Sequence, residues 1–570
     1  MRTLLALVAR ATAVAVAVGV LLPGASTAAP GPPGGGVRPG EIRALADQLT
    51  ATALATIDAD GRPRDPLGGN HIGYYGPAAF GYAGLRAAVR RGDRELLDRA
   101  LHALRLSADR RHATPFDQWL VAKAYAWGSA RLADDPAWRA TAPALAGYLD
   151  DPPLTAPDQR PSPAWIDPGR YNNWKLVELA ARAIAQRAGR FPATPARRRR
   201  QATIERLVAR AAAPAARGRW TAGSARALSD PPSNPLAYSA LSAVMLRDVG
   251  RAAPAGGPPA LRRLRAAVGR YLLAMAAPDG TVAWSGRSAE LSWTLAAAMV
   301  VGADRRDGAG RGLTHAAWRR LLRAHGVRPD GYLAIAPVLR IGDDASGIDR
   351  YANTVIYGGL TVALLNDAAD ALDGQPALRG GPPSATGEGE TDDRRGSGAV
   401  TGRRGDVWWA ATLRPSHLDL RYQPGLQAVQ VRDRGGRWHA LLPARPKTGP
   451  ARGLWPTPDG CRWRAIGATA LRCRGARLTI AVDRRRRRLL LRLRTRPGAV
   501  VRGRLYLPAP RTADRHSLAW PSGRLRASGP LTVRLAPEPP RSSPTDRDLQ
   551  AVDYAVRSDR RGRLQIALGR

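Results

Sequence analysis

The chain has 570 residues, of which 44% are hydrophobic and 24% are charged. This composition is sufficient for two to four globular domains and excludes a predominantly disordered or fibrous protein. The 88 lysines and arginines outnumber the 46 acidic residues and give a net charge of +42, which favours an anionic partner. Only three of the basic residues are lysines. Because an excess of Arg, Ala, Gly and Pro is also typical of a GC-rich genome, the charge alone does not define the partner.

The first 29 residues have the three parts of a secretory signal peptide. Arg2 and Arg10 provide the charged part, residues 11–22 form a short apolar run, and small residues follow up to the expected cleavage site after Ala28 or Ala29. No later segment approaches the roughly 20 apolar residues of a membrane helix. We therefore expect a secreted, extracellular protein that has no membrane contact after signal cleavage.

Residues 40–372 have a helical pattern. Apolar residues recur at helical spacing in segment after segment, separated by turns rich in Pro, Gly and Asp. More than 300 residues of helix and loop with hardly a strand signal predict helices packed in pairs. The expected architecture is an (α/α) toroid or an incomplete barrel. The clearest helical segments are 116–132, 174–188, 237–249, 261–277, 291–301 and 354–372.

The pattern changes after residue 372. Residues 373–398 are rich in Gly, Pro, Ser, Thr and charge, which predicts a linker or an exposed loop. Residues 399–570 alternate with a period of two between turns, which predicts an antiparallel β-sandwich domain. The strongest strand signals are at 407–413, 426–431, 477–482, 489–496 and 502–507. The run Arg484–Arg488 could bind a polyanion, but charges flanking an apolar strand are more often solvated strand ends.

Both cysteines, Cys461 and Cys473, lie in the predicted β domain. Export makes a disulfide between them chemically reasonable, and closing so short a loop would contribute roughly 2–3 kcal/mol. The alternative is a pair of buried free thiols.

The sequence contains none of the common catalytic signatures for metal, phosphate or acyl chemistry. We find no metal-ligand pair at helical spacing, no Gly-rich phosphate loop and no nucleophile elbow. We therefore predict no metal and no cofactor.

Polar and aromatic residues are concentrated in five turns that precede predicted helices, where a helical toroid would line a cleft. The first turn contains His71 and Tyr75, which could also be ordinary capping and core residues. In the second, one of Asn172 and Asn173 would cap a helix, and the other amide could donate to a ligand carboxylate while Trp174 stacks on a sugar. The five turns are 69–76, 167–175, 233–239, 279–293 and 349–360.

The chain resembles a known enzyme family in the order of these motifs. Asn-Asn-Trp at 172–174 is followed by a turn bearing Tyr238 and then by Gly-Arg-x-x-Glu at 286–290, with a predicted β-sandwich behind them. This order resembles the α/α-toroid polysaccharide lyases, a group that includes chondroitin AC lyase, hyaluronate lyase and the heparinase II/III-like enzymes. The resemblance covers most of the mature chain in architecture and only short stretches in motif.

The resemblance implies roles for individual residues. Asn173 would neutralise the substrate carboxylate, Tyr238 would be the acid and base, Arg287 would lie in the cleft and Glu290 would orient these groups. Those lyases usually carry a histidine several residues before the tyrosine, and this chain has none there. His71 could supply that function from another loop, the tyrosine could act alone, or catalysis could be lost.

The chemistry of β-elimination is consistent with these residue types. Removing the C5 proton of a uronate requires hydrogen-bond donors on the carboxylate as it becomes an enediolate, a role suited to Asn172 or Asn173. A tyrosine has a pKa near 10 and needs nearby positive charge, such as Arg287, to act as a base. The same phenol can then protonate the leaving oxygen. We accordingly predict catalytic residues Asn173, Tyr238, Arg287 and His71, and substrate-binding residues Asn172, Trp174, Tyr75, Trp284, Glu290 and Tyr351.

The predicted function is a secreted polysaccharide lyase whose partner is an anionic polysaccharide rather than nucleic acid. One alternative is a helical-barrel glycoside hydrolase, which needs a pair of carboxylates. Another is a non-catalytic glycan-binding protein at the cell surface; the missing histidine favours it. The surface i,i+3 ion pair of Arg287 and Glu290 is a further, purely structural interpretation of that motif. Carboxylate candidates for the hydrolase are Asp117, Asp167, Glu290 and Asp349.

Overall fold

The N-terminal part of the chain folds into α-helices that start at the kind of residue expected from sequence. Prolines occupy the first turns of α1, α2, α4 and α5, where their missing N–H is not needed. Thr114 caps α4 by accepting from the Asp117 amide, and the carboxylate of Asp135 caps α5. The described helices are α1 Pro39–Ala55, α2 Gly76–Arg91, α3 Arg94–Asp109, α4 Pro115–Arg131, α5 Pro136–Asp150, α6 Asn173–Arg187, α7 Pro195–Ala212, α8 Leu236–Ala252, α9 Pro259–Met275, α10 Ser292–Arg305, α11 Gly308–Arg320 with a π-helical turn Leu321–His325, and α12 Thr354–Leu372.

These bounds come from a computed structural model, which describes residues 36–57, 75–109, 114–152, 173–212, 228, 236–253, 257, 259–284, 288, 291–336, 354–378, 388–393, 397–413, 424–442, 455–508, 512–535 and 549–570.

Six of the described helices form an inner layer of the helical domain. Helices α2, α4, α6, α8, α10 and α12 each contact the next in this order, and α12 also contacts α2. They are buried over most of their length, whereas the helices between them, such as α3, bury one face only. This cyclic order of contacts confirms the predicted α/α toroid. Helices buried over most of their length need such neighbours on all sides.

Helix α12 is the most apolar of these helices. Within the described residues it is the one helix long and apolar enough to cross a membrane, which the sequence analysis did not anticipate. Its apolar window is 94% buried inside the protein. These are the surroundings of a core helix in the toroid.

In the C-terminal part, the described strands form three antiparallel sheets. Their strand orders are β1-β2-β3-β4-β5, β12-β13-β14-β17-β10-β9-β8-β7 and β15-β16-β11-β6. Apolar side chains from all three sheets, for example Trp409, Leu491 and Val552, share one core. The strands are β1 Gly389–Asp393, β2 Ala399–Arg404, β3 Val407–Thr412, β4 Gly425–Arg432, β5 Trp438–Leu442, β6 Thr457–Pro458, β7 Arg464–Gly467, β8 Ala470–Cys473, β9 Ala476–Asp483, β10 Arg488–Arg494, β11 Val500–Pro508, β12 Thr512–Ala513, β13 Ser517–Trp520, β14 Gly523–Ala527, β15 Leu531–Leu535, β16 Leu549–Arg557 and β17 Arg563–Gly569.

Strand β1 lies inside the segment predicted as a linker. It forms the edge of the first sheet and pairs with β2. Its sequence, Gly-Glu-Thr-Asp-Asp, has no alternation of apolar residues, because an edge strand with a polar surface needs none. In the arginine run, residues 484–487 form the turn between β9 and β10 and Arg488 is the first residue of β10. Arg487 pairs with Asp406 at 2.9 Å.

The helical and β regions share a small apolar core of their own. Tyr271 and Met275 at the end of α9 pack with Trp284, with Leu236 at the start of α8, and with Trp408 on β3. A hydrogen bond from the Thr401 hydroxyl to the Ala274 carbonyl, 3.2 Å long, joins the same surfaces. The first sheet therefore packs against the end of the toroid at which α9 ends and α8 begins.

The predicted disulfide between Cys461 and Cys473 is present. Cys473 is the last residue of β8, and Cys461 lies three residues before the first residue of β7. The bond therefore links the end of β8 to the segment that leads into β7, the neighbouring strand at one edge of the eight-stranded sheet.

Candidate functional site

The first turns of the inner helices meet at one end of the toroid, and aromatic rings mark the meeting points. Tyr75, just before α2, stacks on Phe116 of α4 with ring centroids 4.6 Å apart. Tyr238 of α8 lies 5.8 Å from Trp293 of α10, which lies 6.3 Å from Tyr357 of α12. Since all five rings lie within the first four residues of a helix or directly before one, these inner helices run parallel.

Each of the five predicted turns precedes an inner helix in sequence, α2, α6, α8, α10 or α12, and the described first residues of these helices lie at the same end of the toroid. Parallel helices also point their N-terminal N–H groups and the positive ends of their dipoles to that end. Such an end attracts anions. We therefore take it as the candidate functional site.

Helix α6 begins at Asn173, whose side chain is buried. Asn172, the preceding residue in the sequence, lies outside the described residues. Trp174 is half-buried against the helical core. Arg187 at the end of α6 donates to the carbonyl of Arg251 near the end of α8, so these neighbouring helices run parallel. Asn173 and Tyr238, the first and the third residue of their helices, therefore lie at the same end.

Tyr238 is buried, with 3% of its surface exposed. Its hydroxyl lies 3.4 Å from the hydroxyl of Ser288. Ser288 has a φ of +64°, a left-handed conformation that non-glycine residues adopt rarely and that is common at functional sites. Sequence reasoning missed Ser288, because its chain neighbours give no sign of the backbone conformation.

Trp293 was also missed, although it lies in one of the five turns. Its ring is 1% exposed and packs beside Tyr238. Its indole Nε1 is buried and has no hydrogen-bond partner among the described residues. An unsatisfied buried donor costs about 1–3 kcal/mol. The spacing of Trp293 on α10 is that of any core aromatic, so periodicity could not single it out.

Two of the predicted substrate-binding residues have clear structural partners. Trp284 is fully buried in the core between the helical and β regions, and its Nε1 donates to the Met275 carbonyl at 2.9 Å. Interdomain packing therefore accounts for Trp284, and its ring is not accessible to a glycan in this structure. Tyr75 is 7% exposed and lies at the site end, stacked on Phe116.

The remaining predicted site residues lie outside the described residues: His71, Asn172, Arg287, Glu290 and Tyr351. Of the carboxylates proposed for a hydrolase, only Asp117 is described. It is buried in the first turn of α4, where Thr114 bonds both its amide and its carboxylate. In the described ranges, no group of three or more His, Cys, Asp and Glu side chains is placed to hold a metal ion.

A buried charge network lies among the inner helices, beyond their first turns. Lys123 of α4 binds Asp367 of α12 and lies 3.4 Å from Asp248 of α8. Burial lowers the pKa of Lys123, but attraction to Asp248 and Asp367 outweighs that effect and raises it. Burial likewise raises the pKa of Asp367, and attraction to Lys123 and Arg247 brings it below its usual value. These groups therefore stay charged and join three inner helices.

No protein-family model and no curated protein sequence matches the chain. Among solved structures, a chondroitin AC lyase from Streptomyces coelicolor in complex with chondroitin sulphate matches with 12% identity and a TM-score of 0.44, covering 93% of this chain and 79% of that one. Heparinase III matches with 10% identity and a TM-score of 0.47, over 92% and 84% of the two chains. A family 88 glycosyl hydrolase from Bacteroides vulgatus matches with 10% identity and a TM-score of 0.38, over 59% and 99%. The first two are of the lyase group that the sequence motifs resemble, and similarity at this level assigns neither an activity nor a substrate to this chain.

Proposed function

We propose that the protein is a secreted polysaccharide lyase that cleaves a uronate-containing glycan by β-elimination. The observation that carries this proposal is the placement of Asn173 and Tyr238 at the same end of two neighbouring inner helices. An amide that can hold a carboxylate and a phenol that can move a proton are the two groups that syn elimination requires on adjacent atoms of one sugar.

In the proposed mechanism, Asn173 donates from its amide to the carboxylate of the uronate. This donor strengthens its interaction as the C5 proton leaves and negative charge builds up on the carboxylate oxygens. The converging N-termini of the inner helices stabilise the same charge through their dipoles. The free energy of the enediolate-like transition state falls relative to that of the bound substrate, which is the requirement for catalysis.

Tyr238 removes the C5 proton as a phenolate and returns a proton to the leaving oxygen at C4. Ser288 lies against its hydroxyl and can hold the phenol in position. Arg287 lies outside the described residues. We propose it as the source of the positive charge that lowers the pKa of Tyr238. Trp293 supports the ring of Tyr238 from the next helix.

The test is incubation with alginate, glucuronan, hyaluronan, chondroitin and heparin, with detection of an ultraviolet-absorbing unsaturated product. Tyr238→Phe removes one oxygen, so we expect folding and glycan binding to persist while turnover falls by about 10²-fold or more. Tyr357→Phe is the matched control, because it removes a phenol from the same row of rings and should leave turnover unchanged. Near-normal elimination by Tyr238→Phe would contradict the proposed acid and base.

Asn173→Ala separates catalysis from packing at the start of α6. Loss of a donor to the developing enediolate should cost about 2.7–4 kcal/mol in transition-state stabilisation. If Asn173 is only a buried residue of the first turn of α6, the substitution should lower the folding stability and leave the rate unchanged. Turnover and melting temperature measured on the same sample distinguish the two.

Two outcomes would replace the lyase by another function. New reducing ends without an unsaturated product would indicate a glycoside hydrolase, and binding without any product would indicate a glycan-binding protein. Secretion is tested separately by mass spectrometry of the extracellular protein, for which we expect a mature N-terminus at Ala29 or Pro30. Retention of Met1 in that material would contradict the proposed signal peptide.

A further inference from the structure

The outer face of the eight-stranded sheet carries five arginines in direct cross-strand register. Arg464 on β7 pairs with Arg472 on β8, and Arg472 pairs with Arg477 on β9. Arg477 pairs with Arg494 on β10, and Arg494 pairs with Arg563 on β17. These five strands are consecutive in the sheet. The five residues therefore form a single row across it, here called the arginine row.

The residues next to the arginine row show which way it faces. One position along each strand, Leu471, Leu478, Leu493 and Leu564 are also in register with one another, and all four are buried in the β core. Since successive side chains of a strand point to opposite faces, the arginines point away from the core. All five are exposed.

Among the described residues, the arginine row has no acidic partner. None of its five guanidinium groups forms an ion pair or a side-chain hydrogen bond with any residue that the structure describes. On the neighbouring four-stranded sheet, by contrast, Arg504 binds Asp553 through two nitrogens at 2.7 and 2.9 Å. Like charges directly opposite one another destabilise a sheet, so the row is maintained against a cost in stability.

Genomic bias does not account for this alignment. It explains why basic residues are arginines, but a random excess of arginine would not concentrate them in one register. The next outward-facing row along the same strands has Ala470, Thr479 and Gln565 beside a single arginine, Arg492. An uncompensated row that crosses five strands points instead to a ligand that supplies the missing negative charge.

The dimensions of the row define the shape of that ligand. Neighbouring strands are about 4.8 Å apart, so five residues span about 19 Å in a line one side chain wide. A guanidinium binds a carboxylate or a sulfate with two parallel hydrogen bonds. The row itself holds no aromatic side chain on which nucleobases could stack, as single-stranded nucleic-acid sites do. From this geometry we infer that the arginine row binds a linear anionic polysaccharide, outside the site at the end of the toroid.

The disulfide fixes one end of this surface. Cys473 directly follows Arg472, and Cys461 lies three residues before Arg464. The bond therefore holds β7 and β8, the last two strands at one edge of the sheet, together near Arg464 and Arg472. Without it, an edge hairpin of four-residue strands would be free to fray.

The inference is tested by the affinity of the full-length protein for short fluorescein-labelled glucuronan and heparin chains, measured by fluorescence anisotropy over a range of salt concentrations. All proteins carry Tyr238→Phe, so that turnover cannot shorten the probe. The row variant is Arg472→Gln/Arg477→Gln/Arg494→Gln. The control variant, Arg524→Gln/Arg526→Gln/Arg534→Gln, removes the same charge from exposed positions of the β domain outside the row.

We expect the row variant to raise the Kd about tenfold or more and to lower the slope of log Kd against log salt by about two, since three charges no longer release counterions. The control variant should change the Kd much less. The row variant should melt at the same or a higher temperature, because like charges have been removed. Equal loss of affinity in both variants would overturn the inference, as would tighter, row-dependent binding of oligothymidylate or of phosphatidylserine vesicles. None of these results depends on whether the protein is a lyase.

Discussion

Replacement of Lys123 by methionine should destabilise the helical domain severely. Lys123 is 9% exposed and joins α4 to α8 and α12 through Asp248 and Asp367. Methionine has a similar length and can fill the space between the rings of Tyr82 and Trp119, over which the ammonium lies at 5.3 and 4.8 Å. The substitution therefore removes the charge with little loss of volume.

The size of the effect follows from what remains around the carboxylates. At an effective dielectric of 20, the attraction between Lys123 and Asp248 at 3.4 Å is about 5 kcal/mol before desolvation. Asp248 keeps Arg247 at 2.9 Å and the Trp119 indole. Asp367 keeps the Tyr82 hydroxyl at 3.2 Å and loses the cation that binds it. Breaking a buried pair by removing one partner typically costs 3–5 kcal/mol, and we expect a loss in this range.

The assay is urea unfolding followed by circular dichroism at a helical wavelength. Arg99→Met is the control, because it removes one positive charge from an exposed i,i+4 pair with Glu95 and should cost less than about 1 kcal/mol. Adding Asp367→Asn to Lys123→Met should restore much of the lost stability, since the stranded carboxylate becomes neutral. A Lys123→Met protein as stable as the Arg99→Met protein would refute the electrostatic account of this network.

Two further predictions concern pH and the disulfide. Burial and the charge of Arg320 lower the pKa of His325 to about 3, although its Nδ1–H donates to the Ala334 carbonyl. Below pH 6.5 this histidine binds a proton in the unfolded chain but not in the folded chain. The free energy of unfolding should therefore fall by about 2 kcal/mol between pH 7 and 5. His325→Asn keeps the donor and should lose that part of the pH dependence, and identical urea midpoint shifts in both proteins would contradict this. Cys461→Ser/Cys473→Ser should cost roughly 2–3 kcal/mol in the β domain and weaken polysaccharide binding by the arginine row, whereas unchanged calorimetric melting would show that the bond adds no stability.

The toroid and the sandwich could be predicted because their burial is visible in the sequence. Helix α12 is apolar on all sides and therefore had to be surrounded, and β9 and β10 alternate as half-buried strands do. Strand β1 could not be predicted, because its charged edge sequence contains no apolar period. The surroundings of α12 could not be predicted from its composition either, because an apolar helix can be surrounded by lipid or by protein.

The candidate site could be predicted to the extent that polar turns precede helices. Because alternate helices of a toroid are parallel, residues as far apart in sequence as Tyr75, Asn173 and Tyr238 lie at one end of the inner layer. Trp284 occurs in the same kind of turn and faces the interdomain core, because local sequence does not record which side of a turn the β domain covers. Ser288 depends on a backbone conformation that only the folded chain shows.

What the charged residues contribute depends on where they lie and whether they are paired. Inside the toroid, Lys123 and Arg247 are matched by Asp248 and Asp367, so their charge contributes to the fold and attracts no ligand. At the N-terminal end of the inner helices the positive potential comes from peptide dipoles, which the net charge does not count. On the β domain, no described acidic residue pairs with the arginine row, so its positive charges lie unpaired in a line across the sheet. If both proposals hold, the two sites bind ligands of the same charge. Affinity for long chains should then exceed affinity for single oligosaccharides, which can reach only one of the two sites.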